Sequence, residues 1–196
     1  MCDAHPNSTA VWTHRVLAAI ARGVGDGRDA AVAQLTRSLA HAAWWEGCPT
    51  GADVFPAGTP ARYRRISLRE PLYADDYSVL LIAWPPGHAT PIHDHDGLWG
   101  LELVLDGILG VESYAIEVTP SVRLAQRGVT PLGIGDHATF SDADYAHRCR
   151  NLSAQRPALS LHVYGGALRR YRAFDQDAQG RWDSVPHRTG LELANR

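Results

Sequence analysis

Pro91-Ile92-His93-Asp94-His95 is the stretch of this sequence that says most about the fold. Side chains two residues apart on a strand point to the same face, so His93 and His95 are predicted to direct their imidazoles into one space. Two imidazoles make an incomplete metal site, and a third ligand has to come from elsewhere in the chain. The candidate is His147, which a barrel can bring opposite the first pair.

The pair of histidines is not decisive by itself. The chain contains ten histidines, and an H-x-H triplet arises easily by chance in such a sequence. Asp94 is expected to point to the opposite face, where it would be structural or would support the ligands. The other histidines are predicted to be ordinary surface or hydrogen-bonded residues: His5, His14, His41, His88, His137 and His187.

The spacing around the histidines resembles the two motifs of the cupin family. Gly87 and His93 have five residues between them, as in G-x5-H-x-H, and Gly107 closes this motif with a turn. His147 is followed by three residues and then Asn151, as in the H-x3-N end of the second motif. The resemblance implies a cupin, a small double-sheet jelly-roll barrel.

The sequence departs from most cupins at the position of their glutamate ligand. That glutamate stands four or five residues after the second histidine, where this chain has Trp99 and Gly100. Glu102 lies too far along to match. The sequence therefore predicts a site of three neutral histidines without a carboxylate.

The rest of the chain divides into a helical part and a part rich in short strands. Ser8 and Thr9 are predicted to cap a helix that ends near Ala21, and a second helix is predicted over Asp29–Glu46, followed by a loop over Thr50–Pro60. Later, short apolar or alternating runs separated by turn residues predict strands over Tyr63–Leu68, Tyr77–Trp84, Leu98–Leu105, Gly110–Val118, Ala138–Phe140 and Ala158–Tyr164.

These elements predict a mainly β chain, a cupin barrel (double-stranded β-helix) preceded by α-helices. We expect one domain over residues 1–196, with a helical segment at 1–50, the barrel at 60–175 and a polar tail at 176–196. The segment after Phe174 shows no clear period, and no secondary structure is predicted there.

Composition excludes several classes of function. Of the 196 residues 45% are apolar and 20% charged, and the formal net charge is −2, so nothing indicates binding to nucleic acid or to an anionic membrane. No apolar run is long enough for a membrane span, and the N-terminal residues lack an apolar signal core. Three cysteines without CxxC spacing favour a cytoplasmic location, and we expect a monomer or a weak homo-oligomer.

Beyond the cupin motifs, four segments resemble the cysteine dioxygenase family of thiol dioxygenases. Ala83–His95 looks like the family's W-x-x-G-x-x-(S/T)-x-I-H-D-H segment, and Ala146–Asn151 resembles its H-R-x-x-N segment. Ser160–Tyr164 matches S-x-H-x-Y, and Arg62–Arg65 resembles R-Y-x-R. The matches occur in the family's order over residues 62–164, about half of the chain.

The resemblance implies iron(II) held by His93, His95 and His147, and a reaction in which a small thiol and O2 give a sulfinate. The residues alone would not choose iron, because three histidines also suit zinc. In such a site the thiol binds as thiolate, its amine or carboxylate can take a further position, and O2 takes the last. No organic cofactor is implied.

Ser160, His162 and Tyr164 alternate along one predicted strand and therefore share a face. A serine beside a histidine suggests a hydrolase, but no nucleophile elbow and no acidic partner accompany them. The resemblance instead implies a relay of hydrogen bonds that ends at the Tyr164 hydroxyl; without it, Tyr164 would be taken for a core aromatic residue. The cysteine that is crosslinked to this tyrosine in mammalian relatives is replaced by Gly100, so Tyr164 is expected to be unmodified, as in bacterial relatives.

The substrate carboxylate needs a cationic partner. Arg65, with Tyr63 beside it, is the first candidate, since a guanidinium matches a carboxylate bidentately. Arg169 or Arg170 is the second, because the segment after Tyr164 has features of the 3-mercaptopropionate dioxygenase branch. Cysteine is the expected substrate, followed by 3-mercaptopropionate and then mercaptosuccinate. A zinc-dependent cupin and a non-catalytic cupin that binds a small ligand remain as alternatives.

Overall fold

The computed structural model describes residues 6–24, 28–55, 58, 60–73, 76–118, 121–190 and 192–193. Within these residues, helices come first and strands follow. The helices are α1 (Pro6–Gly23), α2 (Arg28–Leu39) and the short α3 (Gly51–Val54), with a 3-10 turn at Ala42–Trp44. None of the helices described has the length and apolar character that crossing a membrane requires.

The strands form two six-stranded sheets. One sheet has the order β12-β1-β2-β9-β4-β7, and its members are β1 (Arg64–Arg69), β2 (Ser78–Trp84), β4 (Gly100–Asp106), β7 (His137–Phe140), β9 (Ala158–Tyr164) and β12 (Glu192–Leu193). The other has the order β11-β10-β3-β8-β5-β6, and its members are β3 (Ile92–His93), β5 (Leu109–Glu117), β6 (Arg123–Leu132), β8 (Tyr145–Asn151), β10 (Arg170–Gln176) and β11 (Trp182–Arg188). The prediction of a mainly β cupin fold with N-terminal helices is confirmed.

The first sheet is covered on both faces, which explains why every residue of β2 and β9 is buried. Val79, Leu81 and Leu161 belong to a core that includes α1 and α2. Alternate residues, such as Leu80 and Ile82, pack instead with Leu109 and Val111 of the second sheet. The helices therefore cover one face, while the other face looks into the interior of the barrel.

The second helix ends earlier than predicted. Instead of running to Glu46, α2 stops at Leu39, and the chain continues as the 3-10 turn. The indole Nε1 of Trp12 on α1 donates a buried hydrogen bond to the carbonyl of Ala42 at 2.9 Å. The backbone N–H of Trp45 donates to the same carbonyl at 3.3 Å, as a 3-10 turn requires, so the contact from α1 is made to the turn and not to α2.

The predicted loop and the polar tail both contain regular structure. α3 begins inside Thr50–Pro60, where the backbone N–H of Thr50 donates to Asp53 Oδ2 at 2.7 Å. In the tail, β11 pairs with β10 along its whole length, and β12 pairs with β1. β11 is an edge strand whose side chains are mostly exposed, so its sequence needs no apolar alternation and tolerates Pro186.

Gly100 gives a test of the packing between β4 and β7. A Cβ at this position would lie 2.3 Å from Phe140 Cζ and 2.8 Å from Cε2. We expect Gly100→Ala to lower the free energy of unfolding by about 1–3 kcal/mol, because the buried ring has to shift. Urea unfolding measures the change. Gly128→Ala on β6 is the control, since no heavy atom lies within 4 Å of its Cβ. Equal stability of the two variants would contradict the close packing.

Candidate active site

The strands bring the three predicted ligands together. His93 on β3 lies directly opposite His147 on β8, and His95 follows immediately after β3. One ring nitrogen from each histidine can be chosen so that all three lie within 4.8 Å of one another. His95 and His147 are each 2% exposed, so the group is inside the barrel. This geometry is what a three-histidine metal site requires.

The residue between the two histidines fixes them to the neighbouring strand. Asp94 is 3% exposed and points away from the cluster toward Arg172 on β10. Its carboxylate accepts the backbone N–H of Arg172 at 2.7 Å and the guanidinium Nε at 2.6 Å. In return, the backbone N–H of Asp94 donates to the Arg172 carbonyl at 3.0 Å. β3 has only two residues, and these bonds from the buried Asp94 to the half-exposed Arg172 help to hold it in place.

The ring nitrogens of the histidines show where a cation would bind. Nδ1 of His93 lies 3.0 Å from the Pro91 carbonyl, so that nitrogen is the donor and Nε2 keeps its lone pair. Both ring nitrogens of His95 are buried, and within the described part of the chain neither has a hydrogen-bond partner. A buried unpaired nitrogen is costly, and a metal ion would provide the missing partner.

The protonation of these rings agrees with metal binding. Burial, together with the neighbouring His147, lowers the pKa of His93 to about 3. Burial and the adjacent histidines lower the pKa of His95 well below its ordinary value. Both rings are therefore neutral, which is the form of imidazole that binds a metal. The donor set fits a divalent ion such as iron or zinc.

A carboxylate lies beside this cluster, although the spacing rule for cupin ligands predicted none. Glu102 on β4 is 1% exposed, and its Oε1 lies 2.8 Å from Nδ1 of His147. Its Oε2 accepts the thiol of Cys149 at 3.3 Å. Burial, reinforced by Glu102, raises the pKa of Cys149 well above the usual range, so this cysteine remains a thiol. Strand parity would have found Glu102, because it shares a face of β4 with Gly100 and Val104.

The predicted relay residues form a chain of buried hydrogen bonds. Oγ of Ser160 lies 2.8 Å from Nε2 of His162, and Nδ1 of His162 lies 3.1 Å from the Tyr164 hydroxyl. Sequence reasoning missed the first member, Trp84, whose Nε1 donates to Ser160 Oγ at 2.8 Å. Trp84 is the tryptophan of the W-x-x-G segment that carries the family resemblance, but the segment by itself does not indicate what this tryptophan does.

The indole N–H of Trp84 fixes the direction of each hydrogen bond in this relay. Indole N–H can only donate, so the Ser160 hydroxyl proton is left to pair with Nε2 of His162. His162 then carries its proton on Nδ1 and donates to the oxygen of Tyr164. Burial lowers the pKa of His162 to about 4 and raises that of Tyr164 well above its ordinary value, so both are neutral. The hydroxyl proton of Tyr164 remains free to donate into the interior.

The cluster and the relay open on one cavity of about 560 Å³. Its wall includes His93, His147 and Tyr164, together with the predicted substrate residues Tyr63 and Arg65. The same wall contains residues to which the sequence analysis gave no role: Trp84, His88, Tyr171 and Arg188. His88, predicted to be an ordinary histidine, stacks on Tyr63 with ring centroids 4.7 Å apart.

The arginines predicted to bind the substrate carboxylate lie in different environments. Arg65 is half-buried in the wall of the cavity. Arg170 is 72% exposed on its side chain, lies 3.4 Å from Asp96, and is not among the residues that line the cavity, so its prediction as a substrate residue is not supported by its position. Arg169 lines a neighbouring depression instead. Arg188, on the edge strand β11, was missed because the tail shows no period.

This arrangement defines the protein as a cupin with three inward-facing histidines. Residues 28–177 match the sequence profile of the family described as cysteine dioxygenase type I. That match covers well over half of the 196 residues. The chain belongs to the cysteine dioxygenase type I family, and the resemblance noted in the sequence is confirmed.

Curated relatives carry the same family name. The human protein named cysteine dioxygenase type 1 is 29% identical over 100 residues, which are 51% of this chain and 50% of that protein. The zebrafish (Danio rerio) protein of the same name is 28% identical over 129 residues, 60% of this chain and 63% of that protein. The chain thus spans about half the length of the curated mammalian relatives it matches.

Solved structures with similar folds are more distant. Protein TT1209 from Thermus thermophilus is 25% identical, with a TM-score of 0.41 and coverage of 55% of this chain and 87% of that one. Hydroquinone 1,2-dioxygenase PnpCD is 19% identical, with a TM-score of 0.41 and coverage of 54% and 66%. Superposition scores this low carry no argument about the chemistry.

The metal site can be tested by removing each imidazole in turn. We expect His93→Ala, His95→Ala and His147→Ala to weaken iron(II) binding by more than the roughly 10–100-fold that loss of a supporting group costs. Metal content after dialysis and competition with a chelator measure this. His137→Ala, an exposed residue on β7, is the control and should bind as the unchanged protein does. Stoichiometric iron in His147→Ala would exclude His147 as a ligand.

Proposed function

We propose that the protein is an iron-dependent thiol dioxygenase that converts a small thiol carboxylate and O2 to the sulfinate, R–SH + O2 → R–SO2H. Cysteine is the first candidate substrate. One observation carries the proposal: the nitrogens of His95, which have no hydrogen-bond partner among the described residues, lie in a three-histidine cluster beside a cavity lined by Arg65 and Tyr164. Membership of the cysteine dioxygenase family supports the same reaction.

His93, His95 and His147 would hold the iron. Iron bound by three side chains supplies open coordination positions for a thiolate and O2 and transfers electrons between them. Three neutral imidazoles fit zinc as well, so the choice of iron rests on the family. The histidines stand on β3 and β8 and in the turn after β3, and the Asp94–Arg172 pair keeps them in place.

Arg65 would bind the substrate carboxylate. A carboxylate that enters a partly buried cavity loses hydration and needs a charged partner. A guanidinium offers two parallel N–H donors, and its attraction is stronger here than at the surface because little water screens it. Tyr63 and His88 stack beside it and restrict where the substrate can lie.

Tyr164 would act as a neutral hydrogen-bond donor to the reacting group. His162 occupies one lone pair of its oxygen, which turns the hydroxyl proton toward the cavity. Ser160 and Trp84 hold His162 in the required tautomer. Leu168, Ile82 and the Trp84 ring give that part of the wall an apolar character, and this strengthens a hydrogen bond made there.

A second substrate class is favoured by one specific observation. Arg188 lines the same cavity as Arg65, so a thiol with two carboxylates, such as mercaptosuccinate, could use both guanidinium groups. 3-Mercaptopropionate, with one carboxylate and no amine, needs only one of them. A zinc-dependent cupin or a non-catalytic cupin would bind metal or ligand without consuming O2.

The remaining expectations are part of the same proposal. We expect a cytoplasmic location on the basis of the cysteine pattern, and within the described residues Cys48 and Cys149 are free thiols. We also expect a monomer or a weak homo-oligomer that acts on a small thiol and O2.

The reaction is tested with an oxygen electrode on iron(II)-loaded protein. Cysteine, 3-mercaptopropionate, cysteamine and mercaptosuccinate are compared, and the product is identified by mass spectrometry. The proposal expects O2 uptake matched mole for mole by sulfinate with a carboxylate thiol. The zinc-loaded protein is the control. Metal binding without O2 uptake from any of the four thiols would contradict it.

Arg65→Ala tests the assignment of the carboxylate partner. Loss of a charge-assisted hydrogen-bonded pair costs about 1.5–3 kcal/mol, so KM for a carboxylate thiol should rise roughly 10–150-fold. KM for cysteamine, which has no carboxylate, should change much less. Arg170→Ala is the matched control and should behave like the unchanged enzyme. Loss of turnover in Arg170→Ala with an intact Arg65→Ala would reverse the assignment.

Tyr164→Phe tests the relay. The substitution removes one hydroxyl and leaves the ring, so the metal should be retained while kcat/KM falls roughly 10–150-fold, the cost of one hydrogen bond to a charged partner. Metal analysis and steady-state kinetics on the same preparation separate the two effects. Unchanged kinetics would return Tyr164 to the role of a core aromatic residue.

A further inference from the structure

Glu102 is a buried carboxylate whose role neither the motif nor the relay explains. Its side chain is 1% exposed, on the face of β4 that looks into the barrel. The other buried carboxylate, Asp94, is paired with the guanidinium of Arg172. In the described part of the chain, the one ion-pair partner of Glu102 is His147.

The partners of Glu102 are weak for a charge at this depth. Oε2 accepts only a thiol, from Cys149 at 3.3 Å. Oε1 lies 2.8 Å from Nδ1 of His147, yet no donor in the described residues is aligned with it for a good hydrogen bond. Taking a carboxylate out of water costs several kcal/mol unless a cation or several donors offset it. Beside a neutral His147 ring, these partners would leave much of that cost uncompensated.

A metal ion on the far side of the His147 ring would supply the missing compensation. When Nε2 of an imidazole binds a divalent cation, the ring becomes strongly polarised and its Nδ1–H becomes a better donor. A carboxylate at Nδ1 then faces a cationic unit instead of a neutral ring. A carboxylate at this position is therefore better compensated beside a metal-bound ring than beside a neutral, metal-free one.

We propose that Glu102 is a positioning residue that holds His147 with Nδ1–H toward its carboxylate and Nε2 toward the metal. Its negative charge acts on the metal through the imidazole and occupies no coordination position. The coordination positions that the histidines do not occupy would therefore stay open for substrate and O2. This inference rests on the proposed metal site and not on the identity of the thiol.

A rival arrangement places the metal elsewhere. Ligand atoms of Glu102, His147 and Cys149 also lie within 4.8 Å of one another. A metal bound there would use Nδ1 of His147 and would take this ring away from His93 and His95. It would also leave the nitrogens of His95 without a partner, which the three-histidine site avoids.

The test replaces Glu102 by its isosteric amide. Glu102→Gln keeps the shape and removes the charge, so affinity for cobalt(II) and for anaerobic iron(II) should fall roughly 10–100-fold. The visible spectrum of the cobalt(II) form should shift, because the donor strength of His147 changes. The melting temperature of the metal-free protein should not fall, whereas a merely structural role would lower it and leave the metal affinity unchanged.

Glu112→Gln is the matched control. Glu112 lies on β5, which pairs with the His147 strand β8, and its carboxylate contacts the Tyr114 hydroxyl and Arg148. Within the described residues it has no hydrogen bond or ion pair with the three histidines. It should bind cobalt(II) as the unchanged protein does. If the unchanged protein bound no metal, the proposed function would fail; if it bound metal and Glu102→Gln bound equally with the same spectrum, only this inference would fail.

A measurement on the unchanged protein decides the question even if Glu102→Gln does not fold. Long-range proton–nitrogen NMR of the zinc(II)-loaded protein reports which ring nitrogen of His147 carries the proton. The inference expects a downfield, slowly exchanging proton on Nδ1 and metal on Nε2. A proton on Nε2, with zinc on Nδ1, would overturn it in favour of the site at Glu102 and Cys149.

Discussion

Three imidazoles gathered at one point are the constraint on which the rest of this structure depends. His95 and His147 are buried and His93 is half-buried, and the nitrogens of His95 find no partner among the described protein groups. A protein interior tolerates such nitrogens when they gain a partner, and a divalent cation would supply that partner here. The short strand β3 would not hold two of these rings by itself. It is held by β8 on one side and, on the other, by β10 and the hydrogen bonds between Asp94 and Arg172.

The two faces of the first sheet have different roles: one packs against the helices, and the other contributes polar residues to the site. Odd-numbered residues of β9, such as Leu161, pack under α1 and α2 and join the larger core. The even-numbered residues Ser160, His162 and Tyr164 of the same strand look into the barrel, with Glu102 of β4 beside them. The helices thus keep one face dry and rigid, and the polar network on the other face gains a fixed geometry. Arg65 enters the same cavity from β1.

Several features of the site could be predicted from the sequence because they follow from the spacing of residues along a single strand. The pair His93 and His95 and the alternation in β9 follow from the two-residue repeat of a strand. Other features depend on tertiary contacts that no local pattern reports. The 3-10 turn after α2 accepts a hydrogen bond from Trp12, thirty residues before Ala42. Arg188 stands on an exposed edge strand with no apolar alternation to reveal it. Glu102 was set aside because it does not stand at the position of the cupin glutamate ligand. The alternation of side chains along β4, however, places it on the face that looks toward the histidines.

The central claim is that a metal is held by His93, His95 and His147 and by no protein carboxylate. Anomalous diffraction at the iron absorption edge, from crystals grown with iron(II) under anaerobic conditions, tests it most directly. We expect one anomalous peak at bonding distance from a nitrogen of each of the three rings, with Glu102 on the far side of His147. A peak bonded to the Glu102 carboxylate or to the Cys149 sulfur, or no peak in the barrel at all, would contradict it.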